Sequence, residues 1–312
     1  MKTIRILIPT YNEQDNVEPL AAEIAKHFEK ELPKYNYYIN FIDNKSQDNT
    51  RQVIRKMAKS NPRIKAIFNA KNFGQFNSPF YGLVAAGLPP SDCTITMCAD
   101  FQDPVSNIAK YVKEWETGAQ VVAGVKAKSK ESFIMRFLRT RYYKFIRKVS
   151  TVKHIEHFTG SALYDQSFID ILRDIKDPIP FMRGMVPEFC GNIATIEYTQ
   201  EKRRAGKTSN NWKTLYDGAM LSFTTYTKRF PRYATIWGFL LTGLSVLALV
   251  GLGVCRIFFE FEPWYFLFAG LSMFSFINLF FIGILGEYIV NMNLRLLNRP
   301  LVIEEERVNV NN

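Results

Sequence analysis

Along most of the chain, short apolar runs alternate with segments whose apolar positions recur every three or four residues. Residues 4–8 (IRILI) read as a buried strand, followed by the polar loop Pro9, Thr10, Tyr11, Asn12, Glu13. Val17, Leu20, Ile24 and Phe28 then fall on one helical face. The alternation continues with a strand over 38–42, a polar loop over 43–50 and a helix through Val53, Ile54 and Met57. Strands over 64–68 and 94–97, a loop over 98–104, a helix carrying Ile108, Val112 and Trp115, and a strand over 120–125 complete the series. Strands separated by helices predict an α/β fold with a mostly parallel sheet and right-handed crossovers. Ligands of such sheets sit beyond the carboxyl ends of the strands, so the loops after the first, second and fourth strands are where a site is expected.

The pattern changes after Arg232. Between Ala234 and Gly286 the only charged residues are Arg256, Glu260 and Glu262. Residues 234–255 and 264–286 are charge-free runs of 22 and 23 residues. At about 1.5 Å per residue, each can cross a hydrocarbon layer of about 30 Å. The short connection over 256–263 predicts a two-helix transmembrane hairpin; buried core helices are the competing reading. Lys228, Arg229 and Arg232 precede the first run, and Arg295 and Arg299 follow the second. The excess of positive charge outside the hairpin places both chain ends in the cytoplasm, giving a multi-pass protein of the cytoplasmic membrane with its large domain on the cytoplasmic side. The expected organisation is an α/β domain over 1–208, an interfacial linker helix over 209–232, the hairpin over 233–290 and a cytoplasmic C-terminal tail over 291–312. In that tail the acidic run Glu304, Glu305, Glu306 reads as disordered.

The net charge of +11 favours an anionic partner: nucleic acid, acidic lipid or nucleotide phosphate. Its placement narrows the choice. Beyond the cations beside the spans, Arg136, Arg139, Arg141 and Lys144 interleave with Phe133, Phe137 and Tyr142. Such a stretch is either a helix in the lipid headgroup layer or a solvated basic face over a soluble core, and the neighbouring hairpin favours the first. Without a recognised binding motif, nucleic acid is not an expected partner. The four cysteines lack paired spacing, which argues against zinc or a disulfide framework. Neither G-x-G-x-x-G nor a P-loop occurs after the strands, which disfavours dinucleotide oxidoreductases and P-loop enzymes. His154 and His157 have no third ligand nearby in sequence and read as ordinary polar residues.

The strand-end loops carry Glu13, Asp43, Asp48, Asp100 and Asp103. Asp48 stands just before a helix and reads as a helix-start residue. Asp100, Gln102 and Asp103 place two carboxylates and an amide oxygen within four residues. Hard oxygen ligands of this kind suit Mg²⁺ or Mn²⁺, with water and substrate phosphates completing the coordination. A cation held there would neutralise a departing nucleoside diphosphate.

Seven segments in order, PTYNE, IDNKSQDNT, KNFGQ, ADFQDP, TGSALYD, FMRG and RRAGKTSNN, resemble the inverting family 2 glycosyltransferases of GT-A fold. The branch most similar is that of the polyprenyl-phosphate glycosyltransferases. The resemblance runs from about Thr3 to Phe230. It implies transfer of a hexose-type sugar from a UDP- or GDP-linked donor to undecaprenyl or another polyprenyl phosphate, in cell-envelope glycan synthesis or modification. It implies that Pro9, Tyr11, Glu13 and Asp43 line the nucleoside pocket and that Asp100 and Gln102 hold the cation. It further implies that Arg203, with Gly206 and Thr208, closes over the diphosphate, and that the chain self-associates. Asp100, Asp103 and Arg203 are then the candidate catalytic residues, and Arg136 and Arg139 the candidates for meeting the lipid phosphate. Two positions depart from the family pattern. Cys98 replaces the first metal-site aspartate and reads as strand packing, and Asn44 stands where a carboxylate is common. A lipid phosphate arrives ionised, whereas a hydroxyl acceptor needs a base, for which Asp103 is the nearest candidate. A membrane glycosyltransferase acting on a lipid-linked hydroxyl, or a non-catalytic membrane scaffold that keeps the nucleotide pocket, are the alternatives.

Overall fold

The computed structural model describes residues 1–128, 150–205, 212–227 and 264–310, with Arg141 and scattered positions between 236 and 254. Arg136, Arg139, Gly206 and Thr208 lie outside the described residues, as does much of the first apolar run. In chain order the elements begin with β1 (Thr3–Thr10), α1 (Val17–Glu31), β2 (Asn36–Asp43), α2 (Thr50–Ser60), β3 (Ile64–Asn69) and α3 (Gly74–Val84). They continue with β4 (Cys93–Thr96), α4 (Asn107–Glu116), β5 (Val121–Lys128), β6 (Phe158–Asp165), α5 (Gln166–Ile175) and α6 (Met182–Phe189). Last come β7 (Ile193–Thr199), α7 (Trp212–Tyr226), α8 (Trp264–Leu296) and β8 (Glu304–Val308).

The eight strands form one sheet in the order β7-β5-β6-β4-β1-β2-β3-β8. Strands β4, β1, β2 and β3 are parallel neighbours, and β6 and β8 enter antiparallel. The expected mostly parallel sheet is therefore present with two reversed strands. Helices cover both faces, which is why β1 is apolar almost throughout. Ile4, Ile6 and Ile8 pack with Leu20, Ile24 and Phe28 of α1 and with Ile108 and Val112 of α4. Leu7 and Ile42 pack on the other face with Phe80 and Leu83 of α3 and with Phe168 of α5. Arg5 is the exception in this strand. Its buried guanidinium donates to Thr94 Oγ1 at 2.8 Å and to the carbonyls of Gly82 and Leu83 at 3.4 and 2.6 Å. It thus meets the negative end of α3 and not a carboxylate, and burial pushes it down to about 10.

The acidic C-terminal run is not a disordered tail. Glu304–Val308 forms β8, which pairs antiparallel with β3 and closes that edge of the sheet. Its charges are matched by cations from remote parts of the chain: Lys45 and Arg51 bond Glu305 at 2.8 and 3.0 Å, and Arg55 bonds Glu306 at 2.5 Å. Asn309 then donates to the carbonyls of Ala58 and Ile64 at 2.6 and 2.9 Å. The α/β domain therefore takes its last strand from beyond the apolar helices.

Within α8, Gly270–Leu296 is long and apolar enough to cross a membrane, with a mean hydropathy of 1.8 and none of its most apolar stretch buried. The described part of the first apolar run includes a shorter helix, Ile236–Ser245. The far end of α8 docks on the α/β domain through polar contacts. Arg295 pairs with Asp177 at 2.6 Å, and Asn291 donates to Thr224 of α7 at 2.6 Å.

Gly124 shows how tightly β5 is packed. A Cβ there would strike the Tyr111 hydroxyl and lie 2.8 Å from the Ser161 carbonyl oxygen. Backbone cannot yield as a flexible side chain does, so Gly124→Ala should lose about 1–3 kcal/mol of stability. A lowered melting temperature in detergent checks this; an unchanged one contradicts it.

Candidate active site

The carboxyl ends of β1 and β2 are level, with Thr10 opposite Asp43, so the loops that leave them run side by side. Backbone-to-side-chain bonds stitch these loops together. Asn12 N–H donates to Ser46 Oγ at 2.9 Å, Gln47 N–H to Asn12 Oδ1 at 2.8 Å, and Glu13 N–H to Thr50 Oγ1 at 2.8 Å. Asp48 accepts from Thr50 N–H at 3.0 Å, although the cap position of the helix is the next residue, Asn49.

Asp43 has a different place from the one expected. Its side chain is fully buried and accepts from Arg51 Nε at 2.6 Å, from Ser46 N–H at 3.1 Å and from the Ser46 hydroxyl. It holds the loop from below and does not line an open pocket. Asn44 is likewise turned inward. Its amide donates to Asn72 Oδ1 at 2.9 Å and its oxygen accepts from Phe73 N–H at 2.8 Å, which braces the KNFGQ segment.

The loop after β4 turns sharply at Phe101, whose φ is +62°. Asp100 Oδ1 accepts from Gln102 N–H at 3.0 Å. Asp103 points the other way. It is 3 % exposed, accepts from Cys98 N–H at 3.2 Å, and takes a hydrogen bond from the Tyr198 hydroxyl on β7. Burial, ahead of the opposing bonds from Tyr198 and Cys98, raises its carboxyl above the usual range. Both oxygens of Asp103, the nearest candidate for a base, are engaged away from solvent in holding the loop. The reading of Cys98 as strand packing is also corrected. It lies just past β4 and is exposed.

The residues after β7 fold onto this loop. Glu201 N–H donates to the Gln102 carbonyl at 3.1 Å and Arg204 N–H to that of Asp100 at 3.4 Å. The Arg204 guanidinium lies 3.8 Å from the centre of the Phe101 ring. These contacts deliver Arg203 between two carboxylates. Its Nη2 is 2.8 Å from Asp100 Oδ2, and its Nη1 is 3.2 Å from Glu13 Oε1. Asn16 donates to the other Glu13 oxygen at 2.6 Å. Burial raises the Glu13 carboxyl, against the pull of Asn16 and then of Arg203.

The structure thus brings Glu13, Asp100 and Arg203 into one cluster from three remote positions. Tyr11 and Gln102 are half-buried in the same loops, and Pro9 is half-buried near the end of β1. Asp43 and Asp103 support these loops from within. Asn16, Arg51 and Tyr198 were not anticipated; only Arg51, next to the S-Q-D-N-T turn, stood near a sequence signal. Among the described residues no group of three or more His, Cys, Asp or Glu could hold a metal. His154 is an ordinary polar contact, with Nε2 3.1 Å from Ser150 Oγ.

Residues 5–172, which contain every strand-end loop of this cluster except the one bearing Arg203, match the model of Glycosyl transferase family 2. The chain belongs to that family. Over 311 residues this glycosyltransferase is 26% identical to the uncharacterized glycosyltransferase YkcC of Bacillus subtilis (strain 168), covering 98% of this chain and 94% of the relative. It is 27% identical over 317 residues to the SfII prophage-derived bactoprenol glucosyl transferase of Shigella flexneri, covering 96% of each. A prophage bactoprenol glucosyl transferase homolog of Escherichia coli (strain K12) is 26% identical over 317 residues, covering 96% of this chain and 97% of the relative.

In this glycosyltransferase, Asp103→Asn keeps an oxygen for Cys98 N–H and an amide for the Tyr198 oxygen, whereas Asp103→Ala removes the acceptor from each. The alanine variant should therefore lose about 1–3 kcal/mol of stability and the asparagine variant clearly less. Thermal melts of the two side by side check this; equal losses would contradict the loop-holding role.

Proposed function

We propose that this glycosyltransferase moves a hexose from a UDP- or GDP-linked donor to a polyprenyl phosphate at the cytoplasmic face of a membrane, with inversion at the sugar carbon. The observation that carries the reading is the Glu13–Arg203–Asp100 cluster beyond the sheet's carboxyl ends. A guanidinium already resident there meets the charge of a donor diphosphate. The full-length likeness to proteins named bactoprenol glucosyl transferases supports the acceptor. The inward-facing Asp103 supports it too, because a hydroxyl acceptor needs a base that this aspartate is not placed to supply.

Pro9, Tyr11 and Glu13 border the nucleoside, while Asp43 acts from beneath by fixing the loop. The chemistry of Asp100 and Gln102 fits Mg²⁺ or Mn²⁺: one carboxylate already facing a cation plus an amide, with too few protein donors to exclude phosphate and water. When bound, the ion would supply positive charge to the leaving diphosphate. Arg203, continued by Gly206 and Thr208, orients that diphosphate. A phosphate oxygen of the lipid forms the new bond to the sugar carbon from the opposite face as the carbon–diphosphate bond breaks. Arg136 and Arg139 steer the anionic headgroup.

The membrane part of the reading is a multi-pass hairpin, residues 234–255 followed by α8. It is supported by the apolar length of α8 and by a cavity of about 500 Å³ shared by Trp237 and Leu241 with Met273 and Phe280. The partners are then the nucleotide sugar, the polyprenyl phosphate, membrane lipid and, by the family resemblance, further copies of the chain.

Membranes carrying the protein, given a panel of nucleotide sugars and undecaprenyl phosphate, should release nucleoside diphosphate from one donor and form an acid-labile glycosyl phosphate. A stable glycoside would replace this acceptor by a hydroxyl. Asp100→Ala should cut transfer by at least about a hundredfold; full activity in that variant would overturn the assignment.

A further inference from the structure

The buried arginine under the donor loop has two acidic partners, one at each end of the chain. Arg51 is 8 % exposed. Its Nε bonds Asp43 at 2.6 Å, its Nη2 the Asn69 carbonyl at 2.6 Å, and its Nη1 Glu305 of β8 at 3.0 Å. Glu305 also bonds Lys45 at 2.8 Å, and Lys45 sits in the 43–50 loop at a φ of +64°. The loop is therefore gripped by β8 twice, directly at Lys45 and through Arg51 at Asp43. Lys45 and Arg51 together pull the Glu305 carboxyl down to about 2.

A charge pair that served only to fasten β8 is available for comparison on the same strand. Glu306 pairs with Arg55, one helical turn beyond Arg51, and the contacts of Arg55 are with Glu306 and the Phe68 ring. The main-chain pairing with β3 and the Asn309 bonds also hold the strand. Glu305 alone among these contacts points its charge at the loop that also carries the Asn12 and Glu13 bonds.

We propose that β8 is a working part of the donor site, and that Glu305 and Arg51 are positioning residues that set the 43–50 loop through Asp43 and Lys45. This rests on the donor-site reading given above. Because β8 follows α8 in the chain after a short connection, the same segment leads from the apolar helix to the loop beneath the nucleotide.

The test uses the full-length protein in detergent, with Glu305→Ala, Glu305→Gln and Glu306→Ala. Glu305→Ala should speed amide exchange over residues 43–50 by about tenfold, while Glu306→Ala leaves that loop within about twofold of wild type. Glu305→Gln, which keeps a neutral acceptor for Arg51, should fall between them. Titration with UDP and with GDP in the presence of Mn²⁺ should show binding of the preferred nucleotide weakened about three- to tenfold in Glu305→Ala and unchanged in Glu306→Ala. The donor KM should rise with it while the lipid-phosphate KM stays. Equal effects of the Glu305 and Glu306 variants, or loop exchange unmoved by Glu305→Ala, would overturn the proposal. Failure of the wild type to bind either nucleotide would count against the donor-site reading instead, and the exchange contrast would still decide the coupling.

Discussion

A guanidinium held between two carboxylates organises this molecule. Arg203 reaches Asp100 and Glu13, and those three positions lie on segments that no local sequence signal joins. The side chains are only partly open to water, so each charge depends on the others; loss of one partner would leave a carboxylate or guanidinium poorly solvated and unpaired. The same arrangement sets up a competition. Asp100 faces a cation of the chain itself and, in the proposed reaction, a divalent ion as well. In the proposed reaction the donor diphosphate would compete with Asp100 for Arg203, coupling the basic loop to the arrival of the substrate.

The sheet serves as the platform for this competition. Parallel strands β1, β2 and β4 present their carboxyl ends together, and buried polar groups then fix where each loop goes. Asp103 with Tyr198 fixes the loop after β4, Asp43 with Arg51 the loop after β2, and Ser46 and Thr50 the loop after β1. The contact of Arg295 with Asp177 and the return of the chain into β8 place the long apolar helix under the same domain.

Much of the fold was legible because its signals are local. Ile4, Ile6 and Ile8, and Val17, Leu20, Ile24 and Phe28, lie at the expected spacing and are all buried. Helix α3 was not, since it opens at Gly74 and carries Pro79 inside it. Strand β8 was missed because an acidic run reads as solvated until its partners are known, and Arg51 and Arg55 lie some 250 residues away. At the site, residue types and their grouping were legible, but side-chain direction was not. Asp100 and Asp103 are three residues apart and face opposite ways because the backbone turns at Phe101 into a left-handed conformation. Asp43 and Asn44 face inward because Arg51 and Asn72 are there to receive them.

The most direct measurement of the central claim is Mn²⁺ binding followed by electron paramagnetic resonance, for wild type and Arg203→Ala, with and without UDP or GDP. If Arg203 and the ion compete for Asp100, the variant should bind Mn²⁺ more tightly than wild type when no nucleotide is present. It should also lose most of the gain in Mn²⁺ affinity that nucleotide gives the wild type. Identical Mn²⁺ affinities for the two proteins, with the nucleotide effect intact in the variant, would contradict the account.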